Sequence, residues 1–421
     1  MINTKGIKKG ALHEIYPHLY GCFYDESQMD ARFTKLLNAH NELFNKSEAM
    51  IFSTAGRSEL GGNHTDHNLG KVLAATITLD TVGAVTKTNN NIVTLISEGF
   101  PAVEVNLDNL DKIDSEENTT NALIRGIAKG FVDKGLAIGG FNANTTTNVL
   151  KGSGLSSSAA IEILCATIFN HLFNENQLNP VELSIISQFA ENVYYGKPSG
   201  LMDQIACASG GIVSIDFKDK TNPIVVSKEI KFEKEGYALI IVDTKGDHAN
   251  LTSHYSAIPL EMNSVAGFFG KKVLREVSQE EFEANIPELR KSLKNDRAIL
   301  RAYHYYTENQ RVDKLVQSID NNNFKNYLKL INECGKSSFN YLQNLYPESE
   351  NLGLPLALAI SERILEGDGA CRVHGGGFAG TIQAYVPMDK VKCFVDEMDR
   401  IFGEKAATVL TVRELPTTCI A

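Results

Sequence analysis

The chain has 421 residues, of which 43% are hydrophobic and 22% are charged. This length favours two domains over one, and the composition is typical of a globular protein with a substantial core. The formal net charge of −10 argues against a nucleic acid or an anionic membrane as a partner. An anionic ligand would therefore need a local binding device.

The predicted elements mix helices and strands without regular alternation. Residues 1 to about 50 are predicted to be helical, and a short strand, 51–54, leads into a polar glycine-rich segment. Further strands are predicted at 72–79, 82–87, 92–96, 141–149 and 212–217, and helices at 120–134, 159–173 and 180–195. After a turn-rich boundary at 218–223, the pattern predicts a strand at 237–242, helices between 279 and 367, and a strand–loop–strand unit at 371–387. The fold class is therefore α+β, with an N-terminal domain over 1–217 and a C-terminal domain over 218–421.

The seven cysteines show neither a CxxC pair nor a disulfide framework. This pattern indicates free thiols in a reducing cytoplasm. The N-terminus has no apolar segment of the secretory type, and apolar runs such as 237–242 are too short to cross a membrane. We therefore expect a cytoplasmic location without a membrane partner.

The segment 55–68, AGRSELGGNHTDHN, concentrates polar groups among glycines. Arg57 is a fixed cation, Asn63 both donates and accepts hydrogen bonds, and Asp66 is an acceptor between two imidazoles. Because buried polar atoms need partners, this mixture suits a small polyhydroxylated ligand.

Two other interpretations of this segment stay open at this point. Residues of these types are common in solvated surface turns. His64, Asp66 and His67 could also ligate a metal, although their spacing fits no familiar zinc site.

A second glycine-rich segment, Gly152 to Ala160, reads GSGLSSSAA and precedes an apolar helix. Its glycines allow backbone N–H groups to converge, its serines can cap the helix, and a helix N-terminus attracts phosphate. No GK[ST] follows, so the segment is not a Walker A loop. The alternative is a flexible linker with a serine cap.

Two acids follow in AENVYYGKPSGLMDQIA, Glu191 near a helix end and Asp203 beyond a Pro-Ser-Gly turn. Nucleotide-dependent transfer needs one carboxylate for Mg²⁺ and another near the attacking hydroxyl, and this spacing could supply both. Alternatively, either acid is a solvated or capping residue. The third glycine run, RVHGGGFAG at 372–380, is by itself typical of a tight connection between strands.

Taken together, these segments resemble the GHMP small-molecule kinases and, within them, the galactokinases. The galactokinase signature, approximately GRVNLIGEHTDYNGG, stands here as GRSELGGNHTDHNLG, and GGGLSSSAS, CGIMDQ and GGGFGG have counterparts in GSGLSSSAA, SGLMDQ and GGGFAG. GDHANLTSHY at 246–255 and RAYHYYTENQRV at 301–312 match further family segments. The order of the motifs, from about residue 50 to 390, is more specific than any one of them.

The resemblance implies two α+β domains with the active site between them, and ATP-dependent phosphorylation of a sugar at its anomeric hydroxyl. It implies that Asp203 orients or deprotonates that hydroxyl and that Arg57 stabilises charge on the transferring phosphoryl group. The sugar and ATP are the expected partners of a monomeric chain.

The remaining roles also come from the resemblance. The residues expected at the ATP phosphates are Gly152, Ser153, Gly154, Leu155, Ser156, Ser157 and Ser158. The expected Mg²⁺ ligands are Ser158 and Glu191. The expected sugar site consists of Asn63, His64, Asp66, Gly200 and Tyr255, with Asp66 accepting hydrogen bonds from two ring hydroxyls.

The chain departs from the family pattern at several positions. Asn63 replaces a Glu near the sugar's C6 hydroxyl, so a C6-modified sugar such as galacturonate is an alternative substrate. His67 replaces a Tyr, Ser199 a Cys, and Asp247 a basic residue. A non-catalytic galactose sensor is a further alternative, but such sensors have lesions in the serine–alanine loop, which is intact here.

Overall fold

The computed structural model describes residues 1–150, 154–246, 251–345, 352–378 and 380–421. The helices of these residues are α1 Thr4–Ile7, α2 Tyr16–Tyr20, α3 Glu26–Phe44, α4 Thr120–Asp133, α5 Ser157–Asn174, α6 Pro180–Phe189, α7 Met202–Ser209, α8 Thr252–Phe268, α9 Gln279–Ala284, α10 Ile286–Leu293, α11 Asp296–Asp320, α12 Phe324–Ser337, α13 Gly353–Leu365 and α14 Val391–Phe402. The strands are β1 Met50–Gly61, β2 Lys71–Lys87, β3 Ile92–Ser97, β4 Val103–Asn106, β5 Phe141–Thr147, β6 Ile212–Asp216, β7 Ile224–Lys228, β8 Tyr237–Asp243, β9 Ala370–Val373, β10 Thr381–Pro387, β11 Ala407–Leu410 and β12 Thr418–Cys419.

The larger sheet has the strand order β12-β1-β2-β5-β3-β4, with β6 also pairing with β2 and β7 pairing with β6. Its pairs are antiparallel except for β3 and β5, which run parallel. Helices α5 and α7 pack against β1 and β2. Phe52, Phe131, Phe141 and Phe169 fill the core between this sheet and its helices. This arrangement brings the N-terminal ends of α5 and α7 beside β1.

The smaller sheet has the antiparallel order β11-β8-β10-β9 and packs against α13 and α14. One hydrophobic cluster joins the two sheets and includes Leu60 and Leu73 from the larger sheet and Leu239 and Tyr385 from the smaller. The mixed α+β class predicted from the sequence is confirmed.

The glycine-rich segment after the first predicted strand is itself extended, because β1 continues through Gly61. Its register against β2 shifts between Ala55 and Arg57 and again between Glu59 and Gly61. Such bulges redirect side chains without ending the strand. The sequence pattern missed this continuation because glycine and charged residues are unusual inside a strand.

The N-terminal region predicted to be helical contains three helices, α1, α2 and α3. The predicted domain division between Phe217 and Lys218 stays a prediction; β7 and β12, which follow it in sequence, hydrogen-bond in the larger sheet. No helix among the described residues is long and apolar enough to cross a membrane.

Candidate active site

Arg57 and Asp203, which are far apart in sequence, are in direct contact. Arg57 follows the first bulge of β1, and Asp203 is the second residue of α7. Arg57 Nε donates to Asp203 Oδ1 at 2.8 Å. The guanidinium is 7% exposed and the Asp203 side chain 36% exposed, so the carboxylate is the accessible member of the pair.

Asp203 is held as an anion. Burial raises its pKa, but the charge of Arg57 and hydrogen bonds from Ser156 Oγ and Arg57 outweigh that effect, and the net pKa lies below the ordinary value of an aspartate. Because hydrogen bonds to the charged form favour it, the group is ionised at neutral pH.

The loop before α5 contacts the same pair. Arg57 Nη1 donates to the backbone oxygen of Gly154, and the Arg57 backbone N–H donates to Leu155 O at 3.1 Å. A Cβ on Gly56 would lie 2.8 Å from Leu155 O, so glycine permits this approach. The basic side chain, the catalytic candidate Asp203 and the phosphate-loop candidate therefore form one cluster.

The sequence predicted that a serine side chain caps the helix α5, and the structure shows no such cap at Ser156. Ser156 occupies the N-cap position of α5 with φ 59°, but its side chain makes no capping hydrogen bond. Its hydroxyl donates to Asp203 instead. A left-handed backbone conformation is uncommon for serine. Here it accompanies the hydrogen bond from the Ser156 hydroxyl to Asp203. Of the other predicted loop residues, Gly152 and Ser153 lie outside the described residues.

A cavity of about 560 Å³ adjoins the first turn of α5. Ser157 and Ser158 form one wall, and residues 118–121 and 145–147 form others. Its volume falls in the range of small-molecule sites. The helix N-terminus and two hydroxyls at its edge suit a phosphorylated ligand.

The 62–68 segment is anchored on the C-terminal half of the chain. Asn63 is fully buried, and its Nδ2 donates to Gly375 O at 2.7 Å and to Glu59 Oε1 at 3.1 Å. Asn344 Nδ2 donates to Asn63 Oδ1 at 2.9 Å. The Asn63 amide is therefore fully occupied by protein groups in this structure.

His64 follows in the left-handed region, with φ 57°. Its Nε2 lies 3.0 Å from Gly376 O. Since a carbonyl only accepts, Nε2 carries the hydrogen. Burial, followed by the nearby His67, lowers the pKa of His64 to about 4. The ring is neutral, and its Nδ1 is left as an acceptor.

Asp66 and Gly200 lie close together, and both line a second cavity, of about 270 Å³. A Cβ on Gly200 would lie 2.4 Å from Asp66 Oδ2, so only glycine leaves the carboxylate in place. Two of the departures from the family pattern, His67 and Ser199, line the same cavity, as does Lys220.

Tyr255, on α8, reaches the third glycine run. Its hydroxyl donates to Gly377 O at 2.9 Å, and its ring packs edge-on against Phe378. Asp247 and His248, which precede it, lie outside the described residues, as does Ala379 of the glycine run.

Comparison with known proteins gives the same grouping of segments. Residues 122–211 match the GHMP kinases N-terminal domain, and residues 38–87 match the galactokinase galactose-binding signature. The Clostridium tetani galactokinase is 32% identical over 369 residues, which cover 86% of this chain and 90% of that protein. The Clostridium acetobutylicum galactokinase is 30% identical over 389 residues, which cover 90% of this chain and 94% of that protein.

A solved structure agrees with these relatives. The crystal structure of Lactococcus lactis galactokinase complexed with galactose aligns with a TM-score of 0.79 and 26% identity, covering 92% of this chain and 100% of that chain. This chain belongs to the galactokinase family. It is accordingly a sugar kinase with a GHMP-type fold, and membership in the galactokinase family implies the use of ATP.

Glu191, the other acid expected from the galactokinase resemblance, is buried in an irregular helical turn, Ala190–Tyr195. Lys197 Nζ donates to its Oε1 at 2.8 Å, Gln204 Nε2 donates to its Oε2 at 2.9 Å, and Ser199 Oγ donates to Oε2 as well.

Ser158 and Glu191 offer oxygen donors, which Mg²⁺ prefers. Among the described residues, no group of three or more His, Cys, Asp or Glu side chains is placed to hold a metal ion by itself. Ser158 lines the cavity at the start of α5, and both carboxylate oxygens of Glu191 accept hydrogen bonds from protein groups, so a magnesium site at these two residues stays a prediction.

Sequence reasoning missed two buried polar residues near Asp203, namely Glu162 on α5 and Gln204 on α7. Both are 1% exposed. The sequence does contain a sign of Glu162, because it is an acid within an otherwise apolar stretch of α5. A charged residue on a buried helix face is rare without a partner.

Proposed function

We propose that this protein transfers the γ-phosphoryl group of ATP to the anomeric hydroxyl of galactose, giving galactose 1-phosphate and ADP. The observation that carries the proposal is the contact of Arg57 with both Asp203 and the loop that precedes α5. In support, this contact joins a cation and an ionised acid to the phosphate-loop candidate, and Asp203 follows Gly200 of the Asp66–Gly200 cavity by three residues.

In the proposed reaction the anomeric oxygen attacks the γ-phosphorus, and the bond from that phosphorus to the bridging oxygen of ADP breaks. Asp203 accepts a hydrogen bond from the attacking hydroxyl and aligns it. Since its pKa is lowered, Asp203 is a weak base, and alignment is its main contribution while the proton leaves late in the transfer. Arg57 stabilises the charge that develops on the phosphoryl oxygens.

The sugar is held by residues from both halves of the chain. Asp66 accepts hydrogen bonds from two ring hydroxyls, and the neutral His64 accepts another at Nδ1. Gly200 and Tyr255 line the ring. Asn63 was expected at C6 from the resemblance, and in this role it would have to exchange at least one of its protein partners for the sugar.

ATP occupies the cavity at the start of α5, with its phosphates at the residues 152–158. Ser158 and Glu191 are the proposed ligands of the magnesium ion, which neutralises phosphate charge when bound. Lys197, which pairs with Glu191, would then be released toward solvent or toward a phosphate.

A substrate scan tests the proposal. Purified protein is assayed for ADP release with galactose, glucose, galacturonate and N-acetylgalactosamine at matched concentrations. We expect the highest kcat/KM with galactose. A much higher kcat/KM with galacturonate would replace galactose by the C6-modified alternative that Asn63 suggests.

The galactose-sensor alternative makes a different prediction. A sensor would bind ATP in a sugar-dependent manner without turnover of any hexose or hexuronate. The intact Ser156 to Ala160 segment and the Arg57–Asp203 contact support catalysis instead.

We further propose that the chain works as a cytoplasmic monomer with domains over 1–217 and 218–421. The cysteines of the described residues are unpaired, which supports a reducing compartment. Size-exclusion chromatography with light scattering tests the monomer.

A further inference from the structure

Two buried side-chain oxygen atoms, one on α5 and one on α7, have no hydrogen-bond partner among the described residues. They are Glu162 Oε1, on α5, and Gln204 Oε1, on α7. The two side chains already contact each other, because Gln204 Nε2 donates to Glu162 Oε2 at 3.1 Å. Buried polar atoms without partners are rare in native proteins, so this pair calls for an explanation.

The orientation of the Gln204 amide follows from its neighbours. Its Nε2 also donates to Glu191 Oε2 at 2.9 Å, so both N–H groups are directed at carboxylates. The reversed amide would turn its oxygen toward two acceptors and leave its N–H groups unpaired. Gln204 Oε1 therefore needs a donor from elsewhere.

The surroundings of Glu162 disfavour a negative charge. No Lys, Arg or His among the described residues forms an ion pair with it, whereas Glu191 is paired with Lys197. Burial, and then the charge of Glu191, raise the pKa of Glu162 well above its ordinary value, and Asp203 acts in the same direction. Lys197 and the Gln204 hydrogen bond oppose this shift only in part.

We propose that Glu162 is a neutral carboxylic acid that forms a cyclic pair with Gln204. In this pair the Glu162 O–H donates to Gln204 Oε1 while Gln204 Nε2 donates to Glu162 Oε2. A single proton thereby satisfies both atoms that lack partners.

The pair of Glu162 and Gln204 would fix the positions of the active-site acids Asp203 and Glu191. Gln204 follows Asp203 directly on α7 and also holds the Glu191 carboxylate. A fixed Gln204 amide therefore fixes the start of α7 relative to α5 and to Glu191. Glu162 is a positioning residue in this scheme, which rests on the proposed function only for the role of Asp203 in the transfer.

Infrared spectroscopy tests the proton directly. At neutral pH the wild-type minus Glu162→Gln difference spectrum should contain the carbonyl band of a protonated carboxylic acid, shifted in D₂O. A difference spectrum with only carboxylate bands would overturn the proposal. The measurement uses no substrate, so its result is independent of whether galactose is phosphorylated.

Kinetics test the positioning role. Glu162→Gln retains a donor for Gln204 Oε1, so we expect kcat within about twofold of wild type. Glu162→Met has a similar size but makes neither bond, and kcat should fall about tenfold or more because small displacements of reacting groups are costly. The KM for the sugar should stay nearly unchanged in both variants.

Ser187→Ala is the matched control, since Ser187 Oγ, on α6, is another buried oxygen without a partner in the described structure. It should leave kcat unchanged. Equal losses in Glu162→Gln and Glu162→Met would show that the two hydrogen bonds to Gln204 do not account for the role of Glu162, which contradicts the proposal. Should Glu162→Met fail to fold, the kcat of Glu162→Gln and the infrared band decide alone.

Discussion

Arg57 and Glu59 lie two positions apart on β1, and each forms an ion pair with a residue distant in sequence. Arg57 pairs with Asp203 at 2.8 Å, and the Asp203 side chain remains 36% exposed. Glu59 pairs with Arg372 of β9, and these side chains are 4% and 0% exposed. The same two functional groups therefore form a partly exposed pair in one case and a fully buried pair between the two sheets, here called the seam, in the other.

The two carboxylates respond differently to their environments. For Asp203 the charge of Arg57 and two hydrogen-bond donors prevail over burial, and the pKa is lowered. For Glu59 burial prevails over the charge of Arg372, and the pKa is raised. Desolvation penalises the charged form more as water is excluded. Pairing with an arginine therefore does not by itself decide the direction of the pKa shift, which depends on the balance between desolvation and all the charges and donors around each carboxylate.

The largest expected effect on activity comes from removing the negative charge of Asp203. Asp203→Asn should lower kcat by about a thousandfold, since a neutral amide accepts a weaker hydrogen bond from the sugar hydroxyl, cannot take up its proton and leaves Arg57 without its counter-charge. Sugar binding should remain measurable by isothermal titration calorimetry. Unimpaired turnover would remove Asp203 from its proposed role.

Removing the buried ion pair between Glu59 and Arg372 should lower the stability of the fold rather than the rate of the reaction. Arg372→Met leaves Glu59 buried without its cation, and the free energy of unfolding in urea should fall by about 3–5 kcal/mol. Adding Glu59→Gln to Arg372→Met removes the stranded charge and should recover part of that loss. A loss below about 1 kcal/mol for the single variant would mean that the pair behaves as an exposed one.

Asn63→Glu tests whether Asn63 belongs to the seam or to the sugar site. The new carboxylate would face Glu59 and the Gly375 carbonyl, so the free energy of unfolding should fall by about 1–3 kcal/mol. The sequence alone predicts that this variant narrows acceptance toward a C6 hydroxyl. A narrower substrate profile at unchanged stability would assign Asn63 to the sugar.

The smallest expected effect concerns the hydrogen bond that tunes Asp203. The Ser156 hydroxyl helps to lower the pKa of Asp203, so Ser156→Ala should raise that pKa. Asp203 would then be fully ionised only at higher pH, and the acidic limb of the kcat/KM profile should move to higher pH. We expect kcat to fall about threefold.

Ser157→Ala, at the next position, provides the control because Ser157 lines the cavity proposed for ATP. It should change the KM for ATP and leave the acidic limb in place. An equal shift of the limb in both variants would contradict the specific role of Ser156.

Local patterns were sufficient for much of the fold. Apolar periodicity predicted α4, α5 and β8 to within two residues, because each of these elements buries one face or a continuous apolar run. The helix predicted at 180–195 comprises α6 and the irregular helical turn Ala190–Tyr195. The same patterns failed along β1, where the bulges and the polar side chains are explained by partners on other elements.

From residue patterns alone the candidate site was predictable only as separate segments, and the resemblance to the galactokinases was needed to join them into one site. Their glycines, acids and Arg57 are recognisable in sequence because turns, phosphate binding and charge stabilisation demand particular residue types. The partners of Asn63, by contrast, are Gly375 and Asn344, which no local pattern connects to it. The Glu162–Gln204 contact was hidden for the same reason.

By itself the sequence determined the α+β class, the order of the polar motifs and the residue types available for phosphoryl transfer. These follow from short-range rules of turns, caps and periodicity. Only the tertiary structure decided that Arg57 and Asp203 form a partly exposed pair while Glu59 and Arg372 form a buried pair in the seam. Exposure and the pKa of a carboxylate depend on the groups packed around it, and those groups come from distant parts of the chain.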